Sequence, residues 1–261
     1  MDRSKLGTKP KSTKKKTAPF KYDVAVILCV HQNYSLTPVM YKKCIKNLRN
    51  QTCKSFCVVA VDDINNDLTL PLLEKAKIPN IKLLKNPSNI GFTQSLMRGI
   101  DYARHKIGCK YIAIHDADDY SRIDRLEIQS KFLDDNPNVS IVGSYAYVGD
   151  KKDQNHTLRT VLLSHDDILE SILDRNPLMH GTVMVRSDIF DIANYNPLHK
   201  FAQDYGLWTN CALKGLRFAN IPLPLVTRCL HRQSATGHVR HRRVQKATYR
   251  KIREWYRGMT Q

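Results

Sequence analysis

The feature that most constrains the fold is an uninterrupted apolar run near the start of the chain, Val24-Ala25-Val26-Ile27-Leu28-Cys29-Val30. A half-exposed strand alternates apolar and polar residues. A short run without alternation marks a strand covered on both faces. Phe56-Cys57-Val58-Val59-Ala60-Val61 has the same texture, and Tyr111-Ile112-Ala113-Ile114 repeats it. Helical patterns occupy residues 37–50, 70–77 and 92–106, with Pro38 suited to the first turn of the first helix. Ile81-Lys82-Leu83-Leu84 supplies another strand. Strands alternating with helices make βαβ units. The expected architecture is a single α/β domain with a mainly parallel central sheet and helices on both faces.

The rest of the chain continues the alternation. Ser121 is placed to cap a helix that runs to Asp135 and stops at Asn136-Pro137. Residues 139–148 form a strand, and Ser164 with Asp167 resembles a capping box opening a helix that ends before Pro177. Thr182-Val183-Met184-Val185 reads as a strand opened by His180, residues 204–213 as a helix closed by Gly215, and 218–221 as a short strand. Residues 241–261 read as a basic, aromatic-bearing helix or tail.

The formal charge is +18 over 261 residues, and its location matters more than its size. Residues 1–21 hold eight Lys/Arg and one acid, and residues 228–261 hold ten and one. Between them, 24 basic and 22 acidic residues leave a nearly neutral body. This divides the chain into a disordered basic arm at 1–20, a folded unit at 21–236, and a basic C-terminal segment at 237–261. With 42% hydrophobic residues the chain can bury a core, which excludes a wholly disordered polypeptide, a collagen or a disulfide miniprotein. No run reaches the length of a membrane span, and no apolar stretch follows the basic N-terminus as a signal peptide requires. Seven cysteines without a C-x-x-C pair read as buried thiols in a reducing compartment. A cytoplasmic location follows, with the basic ends able to touch the anionic cytosolic face of a membrane.

In open α/β sheets ligands bind at the carboxyl ends of strands. Those ends carry His31-Gln32-Asn33, Asp62-Asp63, Asn86-Pro87-Ser88-Asn89-Ile90-Gly91 and Asp116-Ala117-Asp118-Asp119. Three carboxylates within four residues repel one another. Solvation on an exposed turn or a bound divalent cation relieves the repulsion. Carboxylate oxygens with no neighbouring cysteine suit Mg²⁺ or Mn²⁺ rather than zinc, and in an extended turn Asp116 and Asp118 point the same way. Such a metal shares its shell with substrate phosphates, so a nucleotide is the natural ligand. No glycine lies between Gly7 and Gly91, which argues against a dinucleotide fingerprint and a Walker loop after the first strand. A phosphatase with an Asp-x-Asp nucleophile shares the spacing, but such enzymes carry the pair after their first strand.

Taken in order, these motifs resemble family 2 glycosyltransferases of the GT-A fold over residues 23–236. The set is completed by Met179-His180-Gly181-Thr182-Val183-Met184-Val185-Arg186, by Gln203-Asp204-Tyr205-Gly206-Leu207-Trp208, and by Arg228-Cys229-Leu230-His231-Arg232-Gln233-Ser234. The resemblance implies an inverting, metal-dependent hexosyltransferase that moves a sugar from a nucleotide-sugar, typically a UDP-sugar, to a hydroxyl acceptor in glycan or polysaccharide synthesis. It implies that His31, Asn33, Asp62, Asp63 and Gly91 line the nucleotide site, with Asp62 and Asp63 toward the base. Asp116, Asp118 and Asp119 would hold Mn²⁺ or Mg²⁺ and the donor diphosphate, with His231 completing that site and Arg228 reaching the phosphates. Asp204 would be the catalytic base, and Gln203 would touch acceptor contacts. His180 reads as a capped or core histidine or an acceptor residue, and Trp208, four residues after Asp204 on the same helical face, as core packing before sugar stacking. The acceptor could be a glycan or a lipid-linked molecule. The family often has Glu-Asp where this chain has Gln203-Asp204, and Gly-Ser where it has Ile64-Asn65.

The alternative from another class is a nucleic-acid-binding protein whose basic ends grip phosphates around an inert body. The acidic edge of the sheet counts against it, because carboxylates repel phosphate unless a metal intervenes.

Overall fold

The computed structural model describes residues 20–30, 38–63, 69–75, 77–78, 80–150, 156–199, 201–230 and 239–260. The first half of the chain alternates β1 (Tyr22–Val30), α1 (Pro38–Arg49), β2 (Phe56–Asp62), α2 (Thr69–Glu74), β3 (Ile81–Lys85), α3 (Phe92–Tyr102) and β4 (Cys109–Asp116). A wider π turn, Ala103–Ile107, extends α3. The second half holds β5 (Tyr120–Ser121), α4 (Arg125–Asp135), β6 (Ile141–Asp150), β7 (Thr157–Arg159), α5 (His165–Ser171), β8 (Met184–Arg186), α6 (Gln203–Leu213), β9 (Phe218–Leu230) and α7 (Val239–Thr260).

The strands form one sheet in the order β3-β2-β1-β4-β8-β6-β9-β5, with β7 beside β6. The four strands on the β3 side are parallel, with Val26 registered against Val58 and Ala113. Each is reached by a crossover through a helix, as the alternating pattern requires. Beyond β4 the sheet becomes mixed. β8 enters through a 3₁₀ turn, His180–Thr182, and runs antiparallel to both β4 and β6.

The sheet has two apolar faces, which is why β1 shows no alternation. Ala25, Ile27 and Cys29 pack on one face with Leu96 and Ile100 of α3. Val24, Val26, Leu28 and Val30 pack on the other with Cys44, Ile45 and Leu48 of α1. Each fully buried Val, Ile or Leu contributes roughly 1.5–3 kcal/mol against exposure. α3 lies close on the sheet because Gly99 has no side chain: a Cβ there would sit 2.9 Å from methyl groups of Ile27 and Val61.

Several local expectations change. Ser121 is not a helix cap. It pairs with Val226 in β5, so α4 starts only at Arg125. β9 extends over 13 residues rather than the short strand at 218–221, because β6 runs beside it along most of its length. His180 lies in the 3₁₀ turn ahead of β8 rather than opening the strand. Ser164 does cap α5, accepting the Asp167 amide at 3.2 Å. No cysteine is in a disulfide, and all but Cys53 are buried. α7 is not a loose tail: its Tyr249 ring meets Tyr205 of α6 edge-on at 4.8 Å, and Ile252 is buried. Among the described residues no helix is long and apolar enough to cross a membrane.

Candidate active site

The carboxyl ends of β1, β2 and β4 lie side by side, and this edge carries the predicted polar residues. Asp62 closes β2 and is registered against Val30 and Lys85. Its neighbour Asp63 is fully buried, with its own N–H donating to the Val30 carbonyl at 2.9 Å. The side chain of Asp63 does not face outward to a ligand. Oδ1 accepts the Ile90 amide and the Asn86 side-chain amide, both at 2.8 Å, and Oδ2 accepts the Gly91 amide at 2.9 Å. Asp63 instead shapes the 86–91 loop, whose Gly91 adopts φ 90 at the start of α3. Only glycine takes that backbone without strain. His31 and Asn33 lie outside the described residues, as does His231.

After β4 the chain turns sharply: the Asp119 amide donates to the Asp116 carbonyl at 3.1 Å. Asp116 and Asp119 both turn toward Gly181. Their Oδ2 atoms lie 2.9 and 3.2 Å from the point that a Cβ on Gly181 would occupy, so the 180–182 turn closes against both carboxylates. Asp118 and Asp116 are both half-buried. Asp119 is 4% exposed; its Oδ1 accepts the Cys229 amide at 3.0 Å, and its Oδ2 is buried with no hydrogen bond among the described residues. Arg228 Nε stands 3.9 Å from that oxygen.

Burial, with Asp116 and Asp118 close by, pushes the Asp119 carboxyl well above the usual carboxylate range. Burial raises Asp116 too, against the pull of His180, Arg228 and Arg125. Beneath the turn lies Arg125, 1% exposed. Its guanidinium donates to Ser121 Oγ at 3.0 Å, to the Ile114 carbonyl at 2.9 Å and to Gln129 at 2.9 Å. Gln129 in turn donates to the Thr182 carbonyl at 2.8 Å, so one polar cluster ties β4 to the Gly181 turn. Burial lowers Arg125 to about 10 and His115 to about 4.

A buried carboxylate with an unmatched oxygen beside a half-buried one, in a cradle that only glycine leaves open, suits a divalent cation. Among the described residues no three His, Cys, Asp or Glu side chains converge as a complete metal set. A cation here therefore needs further oxygen ligands from a substrate or water.

On the other side of the Gly181 turn, the His180 ring packs against Phe92, Tyr195 and Trp208, and its Nε2 is 2.9 Å from the Tyr195 hydroxyl. Burial and then the Asp204 charge raise the Tyr195 phenol well above its ordinary value, and Asp116 adds to the effect. Tyr195 thus feels both acidic groups. Asp204 is the second residue of α6, where the helix dipole favours an acid. Its Oδ2 accepts the Asn176 side-chain amide at 2.6 Å. Gln203 is half-buried at the helix start. Trp208 is fully buried, and its ring packs beside His180.

Asn176, Gly181 and Arg125 were missed by sequence reading. Asn176 precedes a proline and looked like a helix stop. Gly181 lies within the 179–186 motif, and nothing in its spacing shows that it meets the acidic turn.

Comparison with known proteins identifies the family. Residues 26–191 match the family model "Glycosyl transferase family 2". An uncharacterized glycosyltransferase of Haemophilus influenzae is 28% identical over 246 residues, 88% of this chain and 72% of its own. The amylovoran biosynthesis glycosyltransferase AmsE of Erwinia amylovora is 25% identical over 71% of this chain and 68% of its own. Residues 1–349 of S. aureus TarS superpose with a TM-score of 0.63 at 18% identity, over 79% of this chain and 60% of that one; the same protein has been solved with UDP. The mannosyltransferase PcManGT of Pyrobaculum calidifontis, solved with GDP-Man and Mn²⁺, gives 0.63 at 17% identity, over 92% of this chain and 66% of that one. The likeness to both solved proteins establishes the GT-A fold. The family match spans the first four strands, the acidic turn and the glycine that closes on it, and the chain belongs to glycosyl transferase family 2.

Proposed function

We propose that the protein is an inverting glycosyltransferase that moves a sugar from a nucleotide-sugar to a hydroxyl acceptor with the help of Mn²⁺ or Mg²⁺. The observation that carries this reading is the convergence of Asp116 and Asp119 on Gly181, with His180 of the same turn against Tyr195 and Trp208, and Asp204 four residues before Trp208 at the start of α6. One end of the site suits a diphosphate and its cation; the other presents a carboxylate at a helix start.

The chemistry divides between the two ends. Asp116, Asp118 and Asp119 would hold the cation, which would supply neutralisation of charge on the leaving diphosphate. Arg228, beside Asp119, can turn to the same phosphates. Asp62 and the 86–91 loop, which Asp63 shapes, bound the nucleotide. Asp204 accepts the proton of the acceptor hydroxyl while its oxygen bonds to the anomeric carbon. The bond from that carbon to the diphosphate breaks, and the nucleoside diphosphate leaves with the electron pair. A single in-line displacement inverts the anomeric centre. His180 and Gln203 flank the acceptor side. UDP in TarS and GDP-Man in PcManGT make UDP- and GDP-sugars the donors to try, and AmsE's role in amylovoran biosynthesis supports polysaccharide assembly.

Residues 21–236 form the transferase unit in this reading, and the basic C-terminal segment packs onto it through Tyr249 and Ile252 of α7. The outer side of α7 exposes Lys246, Arg250, Lys251 and Arg257 with Trp255 and Met259, which suits an anionic membrane carrying a lipid-linked acceptor. Seven thiols fit the cytosolic side.

The test is release of nucleoside diphosphate from UDP-glucose, UDP-N-acetylglucosamine and GDP-mannose, with Mn²⁺ and after chelation. Turnover that needs the cation and disappears in Asp204→Asn supports the reading. Nucleotide-sugars that neither turn over nor raise the thermal midpoint in the presence of Mn²⁺ would sink it.

A further inference from the structure

We infer that Asn176 is a positioning residue for Asp204, holding one carboxylate oxygen so that the other takes the acceptor's proton. The inference rests on the reading of Asp204 as the base.

Asn176 lies on the segment between α5 and the Gly181 turn, and three contacts fix that segment. The Tyr205 hydroxyl donates to the Ile172 carbonyl, the Arg253 guanidinium of α7 donates to the Asp174 carbonyl, and Leu178 is buried. Pro177 restricts the backbone of Asn176 to extended conformations. The segment therefore presents the Asn176 side chain from a braced backbone.

The orientation of the amide is set by its two neighbours. Oδ1 faces the Leu178 N–H at 3.4 Å, and Nδ2 faces Asp204 Oδ2 at 2.6 Å. The flipped amide would place a carbonyl oxygen against a carboxylate oxygen, so only this orientation is favourable.

The consequence for Asp204 is directional. An acid in the first turn of a helix can fold back onto the amides there, but Ala202 and Gln203 precede it and no side chain caps α6. The Asn176 N–H instead draws Oδ2 toward the 176–178 segment. Oδ1 has no hydrogen bond among the described residues. An amide donor also suits a base better than an ionisable one. It does not titrate, so it supports the carboxylate equally at every working pH, and it cannot be the group that takes the proton.

The experiment compares Asn176→Ser, Asn176→Asp and Asp204→Asn with the unmodified full chain, using whichever of UDP-glucose, UDP-N-acetylglucosamine and GDP-mannose turns over fastest. Asn176→Ser is expected to lower kcat about 10–100-fold, the range for a lost orienting contact, with KM for the donor within about twofold. Asn176→Asp sets one carboxyl against another, so the acidic limb of the kcat–pH profile is expected to move up by about one unit or more. The Asp204 carboxyl ¹³C resonance, assigned with Asp204→Asn, should move its titration in the same direction, which requires no turnover. An unshifted resonance and profile in a folded Asn176→Asp protein, while Asp204→Asn is inactive, would overturn this inference alone. An active Asp204→Asn enzyme would overturn the assignment of the base, and this inference with it.

Discussion

Gly181 passes so close to Asp116 that a Cβ on the glycine would lie 2.9 Å from a carboxylate oxygen. Gly181 is therefore not needed for its backbone angles but for the space it leaves. Gly181→Ala should keep the fold, because the atom in its way is the end of a side chain that can swing aside. The swing moves Asp116 off the shared point with Asp119. Mn²⁺ affinity should fall by about tenfold, with turnover at saturating donor falling by a similar factor; isothermal titration and steady-state kinetics read the two.

Asp119 should cost stability in the absence of metal. Its carboxyl is held well above the ordinary 3.8, so in the fold it keeps its proton at pH values where the unfolded chain has lost it. The sign follows: the contribution is most favourable below about pH 4 and is lost as pH rises through the raised value. Asp119→Asn should thus melt above the parent at neutral pH in chelator, with the gap closing toward pH 4. Mn²⁺ with UDP should raise the parent's midpoint and leave the variant's in place. Thermal melts over a pH series decide it, and a gap that widens on acidification would show the sign to be wrong.

Asp63 is expected to act on stability before chemistry. Replacing it by Ala removes the acceptor for three N–H groups, two on the backbone of the 86–91 loop. Hydrogen bonds to a charged acceptor are worth about 1.5–3 kcal/mol each, not additively, so a loss of about 3 kcal/mol is expected. Urea unfolding measures it. KM for the donor should rise more than kcat falls, since the loop bounds the nucleotide.

Arg125 should not tolerate lysine. Its fork reaches Ser121, Gln129 and the Ile114 carbonyl from a fully buried position, and one ammonium cannot span those directions. Arg125→Lys is expected to destabilise by about 2–4 kcal/mol, and Arg125→Met by about the same or more, because it leaves buried acceptors without a donor. A chemical denaturation series on both variants tests this, and a neutral Arg125→Lys would refute the clamp.

Much of the fold was readable because β1, β2 and β4 are buried on both faces and therefore cannot alternate. The misreadings occur where a long-range partner outweighs a local signal. Ser121 has cap chemistry, yet pairing with Val226 puts it in a strand. The 218–221 run looked short because its continuation, Pro222-Leu223-Pro224, reads as a break; β6 runs beside it regardless, accommodating the prolines with register shifts. In the site, sequence order gathered the acidic groups on one edge but could not divide their work. Asp62 and Asp63 are adjacent in the chain, and only Asp63 turns both oxygens to the 86–91 loop.

The layered α/β architecture, the edge on which polar groups collect, and the family are legible along the chain. All three follow from residue types at short spacing and from the order of motifs. Tertiary structure alone decided which carboxylates meet. Asp116 and Asp119 both turn toward Gly181 because the turn after β4 bends back on itself, and Gly181 reaches them because β8 lies antiparallel to β4. Asn176 reaches Asp204 across 28 residues because α7 and Tyr205 brace the segment that carries it. Contacts of that kind leave no periodicity in a chain, since they depend on where two separately folded segments are held.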